Sequence, residues 1–161
     1  MHVAPTITRL ATDADARACA AMMTATEPWI TLGRTADQSL ARITDPDRET
    51  YVAHDHAGVA GFILLCMTGA FVGYIQSVCV RADCRGSGLG RALVTFAEER
   101  TWRVSPNVFL CVSSFNPRAQ ALYERLGYEY VGTLRDYIIR GHDELLYRKT
   151  RGPIADYPVL R

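Results

Sequence analysis

Between Ala57 and Val80 the chain carries no charged side chain. That stretch is long enough to cross a bilayer, so it admits two very different structures. It also holds Gly58, Gly61, Gly69 and Gly73, together with Gln76 and Ser77. Thr68-Gly69-Ala70 divides it into two strand-length pieces rich in Phe, Ile, Val and Tyr. The segment therefore reads as two buried strands of a hairpin, residues 59–67 and 71–80, with no membrane span.

At 161 residues, 48% apolar and 22% charged, the composition is that of a globular chain, most simply one domain over residues 1–150 and a C-terminal tail over 151–161. A formal charge of +1 gives no basic field of the kind that binds nucleic acid. Five cysteines without C-x-x-C spacing, mostly within apolar runs, fit reduced thiols in the cytoplasm better than a disulfide framework. The first residues lack the basic start and long apolar run of a signal peptide.

Along the chain, 6–10 alternates as a short strand, and Thr12 caps a helix running to about residue 24, with Asp13 and Asp15 suiting its positive end. A loop over 25–34 is broken by Pro28 and Gly33; Thr35 and Gln38 form a capping box opening a helix to about residue 43. Residues 50–54 read as a strand before the uncharged hairpin. A helix follows over about 88–102, its apolar face marked by Leu89, Leu93 and Phe96. Then come a strand over 108–113, a helix capped by Asn116 with Pro117 at its first position and Gly127 at its end, and strands over 128–134 and 144–149. The order predicts an α/β fold with a mixed sheet.

Two segments carry chemistry. Arg85-Gly-Ser-Gly-Leu-Gly-Arg91 lies at a strand-to-helix turn, where glycines admit close backbone approach and a helix N-terminus favours an anion. Gly86, Gly88 and Gly90 alternate, unlike the dinucleotide motif G-x-G-x-x-G, and Arg91-Ala92 stands where a P-loop has Lys-Ser/Thr. The plain alternative is a tight turn using glycine for geometry alone, but Arg85 and Arg91 suit phosphate oxygens. The second segment runs Asn116-Pro-Arg-Ala-Gln-Ala-Leu-Tyr-Glu-Arg-Leu-Gly-Tyr128. Taken alone it is a well-capped amphipathic helix with Tyr123 at an interface.

Together these segments resemble the GNAT superfamily of acetyl-CoA-dependent N-acetyltransferases. Its Arg/Gln-x-x-Gly-x-Gly/Ala motif is met by Arg85 to Gly90, and its Asn-x-x-Ala-x-x-Leu-Tyr-x-x-x-Gly-Phe/Tyr motif by Asn116 to Tyr128. The resemblance implies the GNAT fold, a mixed sheet of about seven strands with roughly four helices, with strands 4 and 5 splayed for CoA. It implies acetyl-CoA as co-substrate, with no metal. Val78, Cys79 and Val80 would offer backbone hydrogen bonds to the pantetheine arm. The amides of Gly86, Ser87, Gly88, Leu89, Gly90 and Arg91 would hold the pyrophosphate, beside Arg85. Asn116 would contact the arm, and Tyr123 would protonate the departing thiolate. A strand-4 amide, that of Cys79 or a neighbour, would polarise the carbonyl.

In the branch that acetylates protein N-termini, a glutamate stands five residues before the motif asparagine and serves as base. Here that position is Cys111, a thiol better suited to a core. Without a strong base, an ε-amine of pKa near 10.4 costs ~4.6 kcal/mol to deprotonate at pH 7, an α-amine only about 1.4. The chain should then favour amines already partly neutral, unless a carboxylate is displaced elsewhere. Glu27, in the loop that borders the acceptor site in this family, is the candidate; otherwise it is a solvated loop acid. Trp29 is a substrate-facing aromatic or a lid anchor. Tyr74 and Gln76 hold a catalytic water or face the core. Tyr137 sits near His142 where such enzymes place acceptor contacts. The acceptor reads first as a small-molecule amine and second as a peptide N-terminus, the latter from the run Asp136 to Glu144. A non-catalytic acyl-CoA sensor is the rival from another class, and the sequence leaves a homodimer open.

Overall fold

The computed structural model describes residues 5–158; the outer limits of the expected domain and tail, residues 1–4 and 159–161, lie outside them. Seven strands form one sheet: β1 (Ile7–Arg9), β2 (Glu49–Asp55), β3 (Gly58–Cys66), β4 (Tyr74–Val80), β5 (Asn107–Ser113), β6 (Glu129–Ile139) and β7 (His142–Thr150). Their order is β1-β2-β3-β4-β5-β7-β6, antiparallel throughout except for the parallel pair β4–β5. The helices are α1 (Asp13–Thr24), α2 (Ala36–Ile43), α3 (Leu89–Thr101) and α4 (Pro117–Arg125). This is the expected α/β architecture.

The uncharged segment holds all of β3 and β4, and among the described residues no helix is long and apolar enough to cross a membrane. It is apolar because it lies mid-sheet with helices on both faces. One face packs Val52, Phe62 and Cys79 under Cys19, Met23 and Ile43 of the first two helices. The other packs Ala53, Ile63, Ile75 and Leu110 under Leu89, Leu93 and Ala97 of α3. Gly61 lets α3 approach, since a Cβ there would lie 3.2 Å from Leu89 Cδ2 and 3.2 Å from Leu93 Cδ1.

Local signals set the helix starts. Thr12 Oγ1 accepts from the Asp15 amide, and Thr35 and Gln38 complete a reciprocal capping box. Asn116 Oδ1 accepts from the Ala119 amide and Pro117 opens α4. The strand edges differ from expectation. β4 begins at Tyr74 rather than residue 71, because Gly73 takes a left-handed turn against α3. The final hairpin extends to Ile139 and His142, beyond the expected 134 and 144. There Asp136 accepts from the Gly141 amide and Asp143 from the Asp136 amide, side-chain contacts that no hydrophobic period reports.

A half-buried ion pair ties α3 to β7: Lys149 Nζ lies 2.8 Å from Glu98 Oε2, with the ammonium 5.4 Å from the Trp102 ring centre. After β7 the chain returns to that indole. Arg151 stacks 3.5 Å from the ring centre and the Tyr157 hydroxyl donates to the Trp102 carbonyl.

The hairpin's entry depends on Gly73. Its φ is +88°, and a Cβ would lie 2.2 Å from Thr101 Cγ2 and 2.7 Å from the Asn107 carbonyl oxygen. Gly73→Ala should therefore cost about 3 kcal/mol, strain and overpacking together. Gly69→Ala, also at positive φ but with open space around it, should cost about 1–2 kcal/mol. Denaturant midpoints check the pair, and equal losses would contradict the crowding.

Candidate active site

The site exists because β4 and β5 part. Only Tyr74↔Phe109 and Ile75↔Leu110 pair between them. Beyond those residues β4 stays with β3 as far as Gly61↔Val80, and β5 stays with β7 as far as Ser113↔Glu144. Gln76 is the extra residue of a β-bulge, since Leu64 faces Ser77 and Leu65 faces Ile75. A bulge bends its strand and increases twist, which helps carry β4 away from β5. The result is a cleft of about 640 Å³ in mid-sheet.

Unpaired backbone groups in the middle of a sheet need partners from elsewhere. Their identity follows from the ladder. Arg81 donates its amide to the Ala60 carbonyl at 2.8 Å. Alternation of an antiparallel pair then turns the N–H and C=O of Cys79 toward Phe62 in β3, and those of Val78 and Val80 into the cleft. The expectation that Cys79's amide faces a ligand is thereby corrected; its two neighbours carry the open groups. The Cys79 side chain is buried, and burial pushes its thiol up to about 11. Arg85 Nε reaches the Val80 carbonyl at 3.3 Å and its Nη2 the Thr26 hydroxyl at 3.2 Å, bridging β4 to the end of α1.

At the outer end, Gly86 and Gly88 take φ of +81° and +89°, and a Cβ on either would meet nothing within 4 Å. The turn is an open cradle that needs glycine for its backbone, not a packed corner. The six expected amides divide. Ser87's amide goes to the Cys84 carbonyl and Leu89's to Ser87 Oγ, both at 3.4 Å. Those of Gly86, Gly88, Gly90 and Arg91 have no internal acceptor among the described residues. The Leu89 side chain lies in the core. Arg85, Arg91, Arg118 and Arg125 surround this end. The last two were not foreseen, because on a helix wheel they read as ordinary solvated charges.

At the inner end, Tyr123 of α4 faces the cleft with its hydroxyl unbonded among the described residues, while Asn116 lines the wall between. Desolvation pushes the Tyr123 phenol up to about 12, so it holds its proton at neutral pH. Tyr74 and Cys111 also line the cleft, side by side; burial raises both, and the Tyr74 hydroxyl at the thiol partly offsets the rise for Cys111. Cys111 is thus a protonated thiol, not a base. Gln76 Oε1 sits 3.6 Å from the Cys66 thiol. Trp29 both packs on the α1–α2 core and lines the cleft. Tyr137, 62% exposed, and Ile138 form the lip. Glu27 reaches the rim, but its oxygens accept from the Thr31 amide at 3.1 Å and hydroxyl at 3.0 Å.

A second carboxylate at the site is Glu144. It lines the same cleft, is 4% exposed, and accepts from Ser113 Oγ at 2.5 Å. Burial raises its pKa, with the Ser113 bond opposing. In the sequence it belongs to a charged turn, and only the β5–β7 register, which sets it opposite Ser113, brings it inward. Arg34 and Arg42, likewise missed, line the cleft beside Tyr74. Among the described residues no group of His, Cys, Asp and Glu converges as a metal site would.

The family model described as Acetyltransferase (GNAT) family matches residues 13–128. The chain belongs to the GNAT acetyltransferase family. An uncharacterised N-acetyltransferase of Methanocaldococcus jannaschii is 33% identical over 112 residues, covering 68% of this chain and 70% of that protein. Among solved structures, an aminoglycoside 6'-N-acetyltransferase complexed with coenzyme A superposes with a TM-score of 0.72 at 17% identity, covering 92% of this chain and 98% of that one. A spermidine/spermine N-acetyltransferase from Vibrio cholerae gives 0.67 at 19% identity, covering 91% and 94%. At such identities the two structures speak for the shared GNAT fold. This GNAT chain is an acyltransferase of the N-acetyltransferase type.

Glu144 carries a stability signature. Its folded pKa is raised above the ordinary value of 4.5. Its favourable contribution is therefore fully present below that value and lost as pH rises through the folded pKa. Glu144→Gln, which keeps an acceptor for Ser113, should melt above the wild type at about pH 8, the gap closing below about pH 4. Thermal melts across that range check this; parallel curves would contradict a buried charge.

Proposed function

We propose that the chain transfers an acetyl group from acetyl-CoA to the primary amine of a small molecule, by direct attack within a ternary complex. The observation that carries this reading is the β4–β5 cleft, which joins an arginine-lined glycine cradle at one end to a phenol and a buried carboxylate at the other. A thioester placed between them supplies an acyl carbon open to attack by an amine.

In this reading the free amides of Gly86, Gly88, Gly90 and Arg91, with Arg85, bind the pyrophosphate, and Arg118 and Arg125 add charge toward the remaining phosphate. Ser87 and Leu89 shape the turn. Val78 and Val80 hold the pantetheine arm as an added strand would, and one of their amides polarises the acyl oxygen. Asn116 lines the passage. Tyr123 gives its proton to the sulfur as the tetrahedral adduct collapses. The cleft offers two carboxylates for the amine's proton. Glu144 is the better placed, since Ser113 takes only its Oε1, whereas both oxygens of Glu27 accept from Thr31. With a real base, the preference for already neutral amines drawn from Cys111 no longer follows. Tyr74 and Gln76 border the nucleophile's side, Trp29 and Tyr137 its entrance. The five free cysteines support a reducing, cytoplasmic setting.

A peptide N-terminus is the second reading, favoured by the exposed apolar lip of Tyr137 and Ile138. The sensor reading rested on the missing base, and Glu144 removes that support.

Thiol release from acetyl-CoA with a panel of amines tests the proposal. Tyr123→Phe should lower kcat about 100-fold with CoA affinity unchanged. Glu144→Gln should lower kcat/KM similarly and erase the acidic limb of its pH profile, whereas Glu27→Gln should keep that limb. No thiol release with any amine overturns the reading.

A further inference from the structure

Behind Tyr74, the inner end of the cleft is lined by two arginines from the loop before α2 and from α2 itself. Arg34 and Arg42 both face the cavity. Among the described residues, neither guanidinium makes an ion pair or a side-chain hydrogen bond, in contrast to Arg9, Arg48, Arg81 and Arg100, which all pair with carboxylates. Arg34 Nε is buried and has no partner. Arg42 is half-buried, and desolvation followed by the charges of Arg34 and Arg48 pulls its pKa down. A third guanidinium, Arg48, stands just behind, held by Asp45 at 3.3 Å and by the Cys66 thiol.

Two like charges gathered and partly desolvated without counter-charge are costly unless something anionic joins them. The folded chain does not provide it. The cleft's own carboxylates do not answer, because among the described residues neither Glu144 nor Glu27 pairs with either guanidinium; their oxygens accept from Ser113 and Thr31. A guanidinium fork matches a carboxylate or other oxyanion in a bidentate geometry, and a protonated polyamine would be repelled.

Resting on the acetyl-transfer reading above, we propose that the acceptor is an amine that also bears an oxyanion, a small amino-acid-like zwitterion whose carboxylate is held by Arg34 and Arg42 while its nitrogen faces Glu144. This separates the chain from the aminoglycoside and spermidine enzymes that share its fold, whose named substrates are polycations. The chemistry balances: the ammonium first loses a proton to solvent by way of Glu144, the neutral nitrogen bonds the acyl carbon and gives its second proton to Glu144, the new N–C bond replaces the C–S bond, the thiolate takes a proton from Tyr123, and Tyr123 regains one from solvent as Glu144 releases its own there. Arg34 and Arg42 change no bond and act as specificity residues.

Matched pairs that differ only in the carboxylate test this: lysine against cadaverine, arginine against agmatine and phenylalanine against phenethylamine, with the other standard amino acids, spermidine and an aminoglycoside alongside. In turnover, a carboxylate-bearing amine should exceed its decarboxylated partner by about 10- to 100-fold in kcat/KM. Arg42→Gln should collapse that ratio through KM with CoA affinity intact, and Arg42→Glu should invert it toward the polyamines. A second readout does not depend on chemistry: in the presence of CoA, the carboxylate-bearing member should raise the melting temperature of the wild type but not of the Arg34→Gln or Arg42→Gln variants. If thiol release fails with every amine while this shift persists, the transfer reading falls and the anion site stands. If polyamines are preferred, if only peptides with free N-termini react, if no carboxylate-bearing amine binds, or if the Arg42 variants keep the wild-type ratio, the proposal is overturned.

Discussion

Two strands in the middle of the sheet share only two residue pairs. Every functional feature of the molecule depends on that shortage. A parallel pair that continued would satisfy Val78 and Val80 with β5 and leave no opening in the sheet. Because β4 is secured to β3 and β5 to β7, the gap costs neither strand its place. The fold can thus expose central backbone groups without creating the long edge that invites aggregation. The glycine turn follows β4 after a single 3-10 turn, Ala82–Cys84, and Val80 and Arg85 line both the open strand face and the cradle. The bulge at Gln76 adds a bend where divergence begins.

The inner end of the cleft sets opposite charges apart. Glu144 enters from β7, tethered by Ser113, while Arg34 and Arg42 enter from the α2 side. Neither sign neutralises the other, and an acceptor with one group of each sign would complete both. Tyr74 and Cys111 stand between as neutral hydroxyl and thiol, which keeps that region polar without a third charge. Burial of Tyr123 serves the opposite need. It raises the phenol's pKa, so at neutral pH the hydroxyl keeps its proton and has one to offer where sulfur develops charge.

Much of this was legible from residues alone, where the signal is local. The caps at Thr12, Thr35 and Asn116 announce their helices because each is a side chain bonding to its own next turn. The uncharged segment announces central strands because both faces must be apolar. The glycines after β4 announce a left-handed backbone. The losses occur where contacts are remote in sequence. Glu144 looks like part of a solvated turn until the strand register sets it opposite Ser113, thirty-one residues away. Arg34 and Arg42 look like ordinary surface charges until α2 folds against the cleft. Cys79 looked like a cleft-facing amide until the phase of the ladder was fixed by one bond, Arg81 to Ala60. Periodicity gives the face of a side chain; it does not give the side of a backbone group.

Amide hydrogen exchange at Val78, Cys79 and Val80, measured with and without acetyl-CoA, probes the open strand face most directly. The amides of Val78 and Val80 should exchange rapidly in the free protein and slow by about tenfold or more when acetyl-CoA binds, while that of Cys79 stays protected in both states. If Val78 and Val80 are already protected in the free protein, or if acetyl-CoA binds and leaves their exchange unchanged, the account of an unpaired mid-sheet strand as the coenzyme's partner is contradicted.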